Sequence, residues 1–210
     1  KILEDAPVDD SDYEKVKYCF DYIVSHTSYN VNAANNQNII SVFINGESVC
    51  QGYTLAMKYL LDRLGVESAV IYGTANGDNH SWNIVKIDGT WCYVDVTWGD
   101  SSYRNYVNSE TVDEINYNYF ACNNDILRAT HKISSPLYLP NCSSLAVYYY
   151  VKEGLYFKSA DIDRLKAVFK LKTASKEHFF MIRCDSDAVY REFKEELFDN
   201  KKIYSVYKSS

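Results

Sequence analysis

The chain has 210 residues, with 22 Lys and Arg against 28 Asp and Glu, a net charge of −6 and an isoelectric point near 5.2. Polyanion binding requires clustered Lys and Arg, so this balance argues against nucleic acid as a partner. No run reaches the roughly 18–20 apolar residues of a membrane span, and no charged-then-apolar signal segment opens the chain.

Residues 1–9 read as a lead-in, after which Asp10 or Ser11 caps a helix running to about Thr27, with Tyr13, Val16, Phe20, Ile23 and Val24 on one face. Asn30–Asn38 is a loop rich in Asn and Ala. Ile39–Ile44 is a short apolar stretch leading to the turn Asn45-Gly46. From Cys50 the spacing of Leu55, Tyr59, Leu60 and Leu64 predicts a helix closed by Gly65. Val66–Gly73 reads as a strand, 74–79 as a loop, and 80–87 with 90–98 as a hairpin about Asp88-Gly89. Residues 99–118 give only a long loop. The last part reads as strand (145–151), strand (154–158), helix (161–171), strand (178–184), helix (186–198) and strand (203–207). Residues 145–210 carry 13 Lys and Arg against 10 Asp and Glu, and residues 1–144 carry 9 against 18. That shift sets an expected boundary: a domain over 1–144 and a small α+β unit over 145–210.

Three residues suggest chemistry. Cys50 falls in the first turn of its helix, where unsatisfied N–H groups and the macrodipole favour a thiolate and can serve an oxyanion. A cysteine in that place is also simply a small buried hydrophobe. With a two-residue Asp88-Gly89 loop, residue 87 pairs with 90, so His80 and Asp95 become diagonal neighbours on one sheet face; a three-residue loop would separate them. A thiol, an imidazole as general base and a carboxylate holding its tautomer make a nucleophilic acyl-transfer site. Gly52 leaves room for a substrate backbone, Trp91 is expected in the core, and Trp82 and Trp98 are expected to wall the site. Asn83 is either a hairpin polar residue or a hydrogen bonder behind the site.

Val49-Cys50-Gln51-Gly52-Tyr53, the helix to Leu64-Gly65, the strand ending in Gly73, His80-Ser81-Trp82-Asn83 and Tyr93-Val94-Asp95-Val96-Thr97-Trp98 together resemble the transglutaminase-like superfamily, specifically its bacterial members. The likeness covers about 13–100, with Tyr29 also in place and a looser continuation from Tyr119-Phe120 through His131 to Leu139-Pro140. It implies a papain-like α+β core, a Cys-bearing helix packed on an antiparallel sheet, with Cys50, His80 and Asp95 as catalytic triad and Gln51, Gly52, Trp82 and Trp98 as substrate-binding residues. It further implies thiol-dependent acyl transfer or hydrolysis on peptide or protein amides through a thioester. The competing class is a catalytically silent fold that binds proteins or glycans. Gln51 is a candidate oxyanion-hole side chain that the helix can also point away.

No acidic stretch is read as a calcium loop of the Asp-x-Asp kind and no CxxC pair is present, so no cofactor and no metal site is expected. Cys122 and Cys142 are the pair to test for a disulfide, against buried reduced thiols. His26 reads as a helix C-terminal cation, His131 as a surface histidine that could approach the site, and His178 as a residue before a strand. The 20 tyrosines are packing residues first, and a surface for sugars or peptides second. A bacterial extracellular or cell-surface location is expected, with the export signal lying outside this chain.

Overall fold

A computed structural model describes residues 2–103, 114–134, 138–177 and 179–199. The chain forms two compact units, Lys1–Tyr149 and Tyr150–Ser210.

In the first unit, the Ser11 side chain accepts the Glu14 N–H and caps α1 (Asp12–His26), whose first turn is acidic. Its buried face is the expected one, with Cys19 added. Two short parallel strands, β1 (Ser28–Tyr29) and β2 (Glu47–Ser48), pair on either side of the Asn-rich loop. The apolar stretch before Gly46 becomes a π-helical turn (Ser41–Asn45), and Gly46 leaves it at φ +68°.

Helix α2 (Cys50–Arg63) follows at once and ends at Leu64-Gly65, with Gly65 at φ +74° in the left-handed region. Its buried stripe is Tyr53, Ala56, Met57, Leu60 and Leu61, which keeps Leu60 of the expected Leu55, Tyr59, Leu60 and Leu64 but is otherwise turned from that line. Tyr59 instead faces outward, between the Phe43 ring and the Arg63 guanidinium. The rotation follows from burial on two sides, because α2 packs against both α1 and the sheet.

The sheet has the order β5-β4-β3-β6 and is antiparallel throughout, with β3 (Ser68–Ala75), β4 (Asp78–Ile87), β5 (Thr90–Val94) and β6 (His131–Ile133). Ser81 and Asn83 turn toward α2: the Thr54 hydroxyl donates to the Ser81 carbonyl at 2.9 Å, and the Asn83 amide donates to the Thr54 carbonyl at 3.2 Å. Asn83 therefore ties the sheet to the helix. Residues 80, 82 and 84 take the other face. The main core joins Val16, Phe20 and Ile23 of α1 to Met57 and Leu60 of α2 and to Val85, Ile87, Cys92 and Val94 of the hairpin. Trp91 is half-buried, with the Lys86 ammonium 5.8 Å over its ring, rather than a core residue. A short helix α3 (Asn124–Arg128), capped by Asn123, precedes β6.

Gly52 has a packing reason to be glycine. A Cβ there would lie 2.0 Å from the Ser48 hydroxyl oxygen and 3.0 Å from the Asn36 carbonyl oxygen. That hydroxyl is already bonded to Ser41 at 2.6 Å and to the Asn36 carbonyl at 2.9 Å, so it has nowhere to move. Gly52→Ala is expected to lower the unfolding free energy by about 1–3 kcal/mol, read as a lower urea midpoint at unchanged slope.

In the second unit, α4 (Tyr149–Lys152) spans the boundary and leads to β7 (Tyr156–Phe157), α5 (Ile162–Ala174), β8 (Arg183–Cys184) and α6 (Asp187–Lys194). The strand expected at 145–151 is instead a turn and one helical turn. Those at 154–158 and 178–184 shrink to the two-residue parallel pair β7 and β8. Both longer helices form where expected, capped by Asp161 and Ser186, over a core of Phe157, Leu165, Val189, Phe193 and Leu197. His178 and the strand expected at 203–207 lie outside the described residues. No helix among the described residues is long and apolar enough to cross a membrane.

Candidate functional site

The hairpin register is the one the two-residue turn requires. Ile87 pairs with Thr90 and the ladder runs to Asn83 opposite Val94. Asp88 and Gly89 have φ +47° and +82°, the left-handed pair of a type I′ turn. At the far end Asp95 leaves the ladder, its N–H donating to the Tyr119 carbonyl at 3.0 Å. The diagonal contact is made: His80 Nε2 lies 2.8 Å from Asp95 Oδ2.

Asp95 is 1% exposed and its oxygens are fully used. Oδ1 accepts the N–H groups of Thr97 at 3.1 Å and Trp98 at 3.3 Å, and Oδ2 meets His80 and also His131 Nε2 at 3.1 Å. Burial alone would raise its pKa, but the charge of His80 and the hydrogen bonds from both rings hold it well below the usual carboxylate range.

His131, expected at the surface, is instead 1% exposed. Strand β6 pairs His131 with Ala75 and swings the ring under the site, where it packs against Trp82 (5.0 Å), Trp98 (4.7 Å) and Tyr119 (5.0 Å). Its Nδ1 is 2.8 Å from the Thr130 hydroxyl, which is 2.8 Å from that of Tyr119. Three ligand-type atoms of His80, Asp95 and His131 lie within 4.8 Å of one another. The separations of 2.8 and 3.1 Å are hydrogen-bond distances.

Cys50, half-buried at the start of α2, borders the same cleft as the His80 ring. Burial works against its thiolate. The hydrogen bond and charge of His80, helped by a backbone hydrogen bond from Ser81, outweigh burial and bring the pKa below that of an ordinary thiol. His80 moves the opposite way: burial disfavours its charge, yet Asp95 and Cys50 raise it to about 10. Burial drives Cys19, Cys92, Cys142 and Cys184 up, Cys19 to about 12 and Cys142 to about 11. Cys122 and Cys142 are free thiols in the structure, not a disulfide.

Beside the thiol lies a cleft of about 400 Å³ bordered by Cys50 and His80 and by the carboxamides of Asn36, Gln37, Gln51 and Asn79, with Tyr29 and Tyr72. Gln51 reaches across it, its amide donating to the Tyr72 hydroxyl at 3.1 Å. Of the other residues expected at the site, Gly52 lies against Ser48, and Trp82 is fully buried beside the His80 ring. Trp98 stacks on Tyr103 and against His131, walling the site from behind.

One further buried group was not legible in the loop 99–118. Asp100, 1% exposed, accepts from the Tyr53 hydroxyl and from the Ser102 N–H and hydroxyl, both at 2.7 Å; Ser102 Oγ in turn accepts the Tyr29 N–H at 2.6 Å. It thereby joins the helix that carries Cys50 to the strand that carries the cleft residue Tyr29.

Residues 6–96 match the family model described as the transglutaminase-like superfamily. The chain is 26% identical over 106 residues to kyphoscoliosis peptidase of Mus musculus, a match of 42% of this chain and 16% of the mouse protein. Among solved structures, a TGase shares 22% identity at a TM-score of 0.42 over 55% of this chain and 35% of that one. A candidate cysteine protease of Cytophaga hutchinsonii shares 22% identity at a TM-score of 0.37, over 40% and 31%. The chain thus spans about a sixth of the length of the mouse relative and about a third of the solved ones.

Proposed function

We propose that the chain, whose residues 6–96 match the transglutaminase-like superfamily model, is a cysteine-nucleophile enzyme acting on peptide or protein amide bonds. The observation that carries the reading is geometric: Cys50 opens α2 and borders one cleft with His80, whose Nε2 lies 2.8 Å from Asp95 Oδ2, and against burial the neighbouring His80 lowers the thiol's pKa.

In this reading the Cys50 thiolate forms a bond to the amide carbon and the carbonyl electron pair moves to oxygen. The N-cap Val49 offers no side-chain acceptor, which leaves first-turn N–H groups of α2 to stabilise that oxyanion. The intermediate collapses, the C–N bond breaks, and the His80 imidazolium gives its proton to the departing amine, leaving a thioester on Cys50. Neutral His80 then takes a proton from water or an incoming amine as that acceptor attacks. The thiolate departs and the ion pair is restored. Carboxamides and phenols along the cleft supply neutral hydrogen-bonding partners suited to a peptide chain.

The test is selective alkylation. At pH about 6 an ordinary thiol is well under 1% ionised, so Cys50 is expected to react with iodoacetamide at least about tenfold faster than a peptide cysteine, and His80→Ala to abolish the advantage. Mass spectrometry of peptide amides, with and without added amine, should show product that Cys50→Ala loses. A Cys50 that alkylates at the rate of a free thiol in both proteins removes the enzyme reading.

A further inference from the structure

Asp95 is shared between two imidazoles, and the second has a hydrogen-bond chain of its own. A carboxylate only accepts, so the proton between His131 Nε2 and Asp95 Oδ2 belongs to the ring. In the neutral ring the other nitrogen, Nδ1, accepts from the Thr130 hydroxyl, which then accepts from the Tyr119 hydroxyl.

We propose that His131 is a positioning residue for the acyl-transfer site, a donor that fixes Asp95 Oδ2 and, by sharing it, limits how strongly Asp95 holds the His80 imidazolium. The inference rests on the enzyme reading above for its purpose, and on hydrogen bonds alone for its geometry. Oδ1 is occupied by two backbone N–H groups, so the capacity left to bind His80 is all on Oδ2, where His131 takes a part. The groups facing His80 are Cys50, Asp95, His131, Trp82 and Trp98, with the Tyr103 phenol coupled to both Cys50 and Asp95. Among them His131 alone donates to the oxygen that His80 uses. Losing that donor concentrates the carboxylate's charge on His80, so the imidazolium persists to higher pH.

The chain has four histidines, so ¹⁵N-histidine NMR on the whole protein can read the site directly. In the wild-type protein at neutral pH the His131 proton is expected on Nε2, and a proton on Nδ1 alone overturns the proposal. His131→Phe keeps an aromatic ring among Trp82, Trp98 and Tyr119 but donates nothing. It is expected to move the His80 titration midpoint up by about half a pH unit. His131→Gln, which can still donate an amide proton, is expected to return the midpoint to within about 0.2 unit of wild type. A purely structural residue would lower stability in both variants and leave the His80 midpoint alone; an unchanged or lowered midpoint in His131→Phe overturns the inference. The wild-type tautomer decides the matter if that variant does not fold. None of these readouts uses activity, so a failed alkylation test would remove the enzyme reading without touching them.

Discussion

Asp95→Ala is expected to lower the unfolding free energy by about 3–5 kcal/mol and to abolish the selective reactivity of Cys50. The size follows from what is stranded. Two backbone N–H groups, at Thr97 and Trp98, and two buried rings, His80 and His131, all lose their acceptor at once. Urea unfolding monitored by tryptophan fluorescence measures the first effect, and iodoacetamide labelling at pH about 6 the second.

The pH dependence of stability has a definite sign at each end. The folded carboxyl of Asp95 titrates below its ordinary value of 3.8, so its contribution is present above that pH and is lost as the pH falls toward the folded value. His80 rises from 6.5 to about 10, so its contribution is full below pH 6.5 and fades as the pH climbs through about 10. In Asp95→Ala both dependences should largely vanish. A variant that keeps the wild-type acid limb would show that other carboxylates carry it.

Asp100→Ala is the second large effect, about 3 kcal/mol, because the Tyr53 hydroxyl and two donors of Ser102 lose their acceptor inside the protein. Tyr53 lies one turn beyond Cys50 on α2, and Ser102 holds the Tyr29 backbone. The variant should therefore also slow Cys50 alkylation severalfold at pH about 6, by loosening the placement of the thiol against His80. Tyr53→Phe, which removes a single donor and leaves the carboxylate bonded to Ser102, should cost about 1 kcal/mol, measured by the same urea titration.

What the sequence discloses and what it hides divide along the range of the interactions. The His80–Asp95 pairing was legible because it rests on local chemistry: a two-residue Asp-Gly turn sets the register, and counting does the rest. The start of α2 at Cys50 and its end at Gly65 were legible for the same reason. His131 was not, since its burial depends on pairing with β3, some 55 residues earlier in the chain, through a strand only three residues long. Nor was Asp100, an acid in an aperiodic loop whose partner is a tyrosine 47 residues away. Trp82 shares the face of His80, as alternation along β4 indicates, but its full burial there depends on packing against His131 from a distant strand, which alternation does not show. The run before Lys152 misled through composition: tyrosine and valine favour strands, yet a single helical turn forms there and the chain leaves through Gly154 at φ +71°.

Asp95 sends its N–H to Tyr119, Tyr93 exchanges hydrogen bonds with Cys122, and His131 closes the far edge of the sheet. The stretch recognisable as a family ends at residue 96. As a unit of inheritance, then, the folded site is larger than its signature: an exchange that carried over only the signature would bring a thiol, an imidazole and a carboxylate, but leave behind the segment that packs against the carboxylate. A sequence able to host this site must bring its own counterpart to residues 117–133.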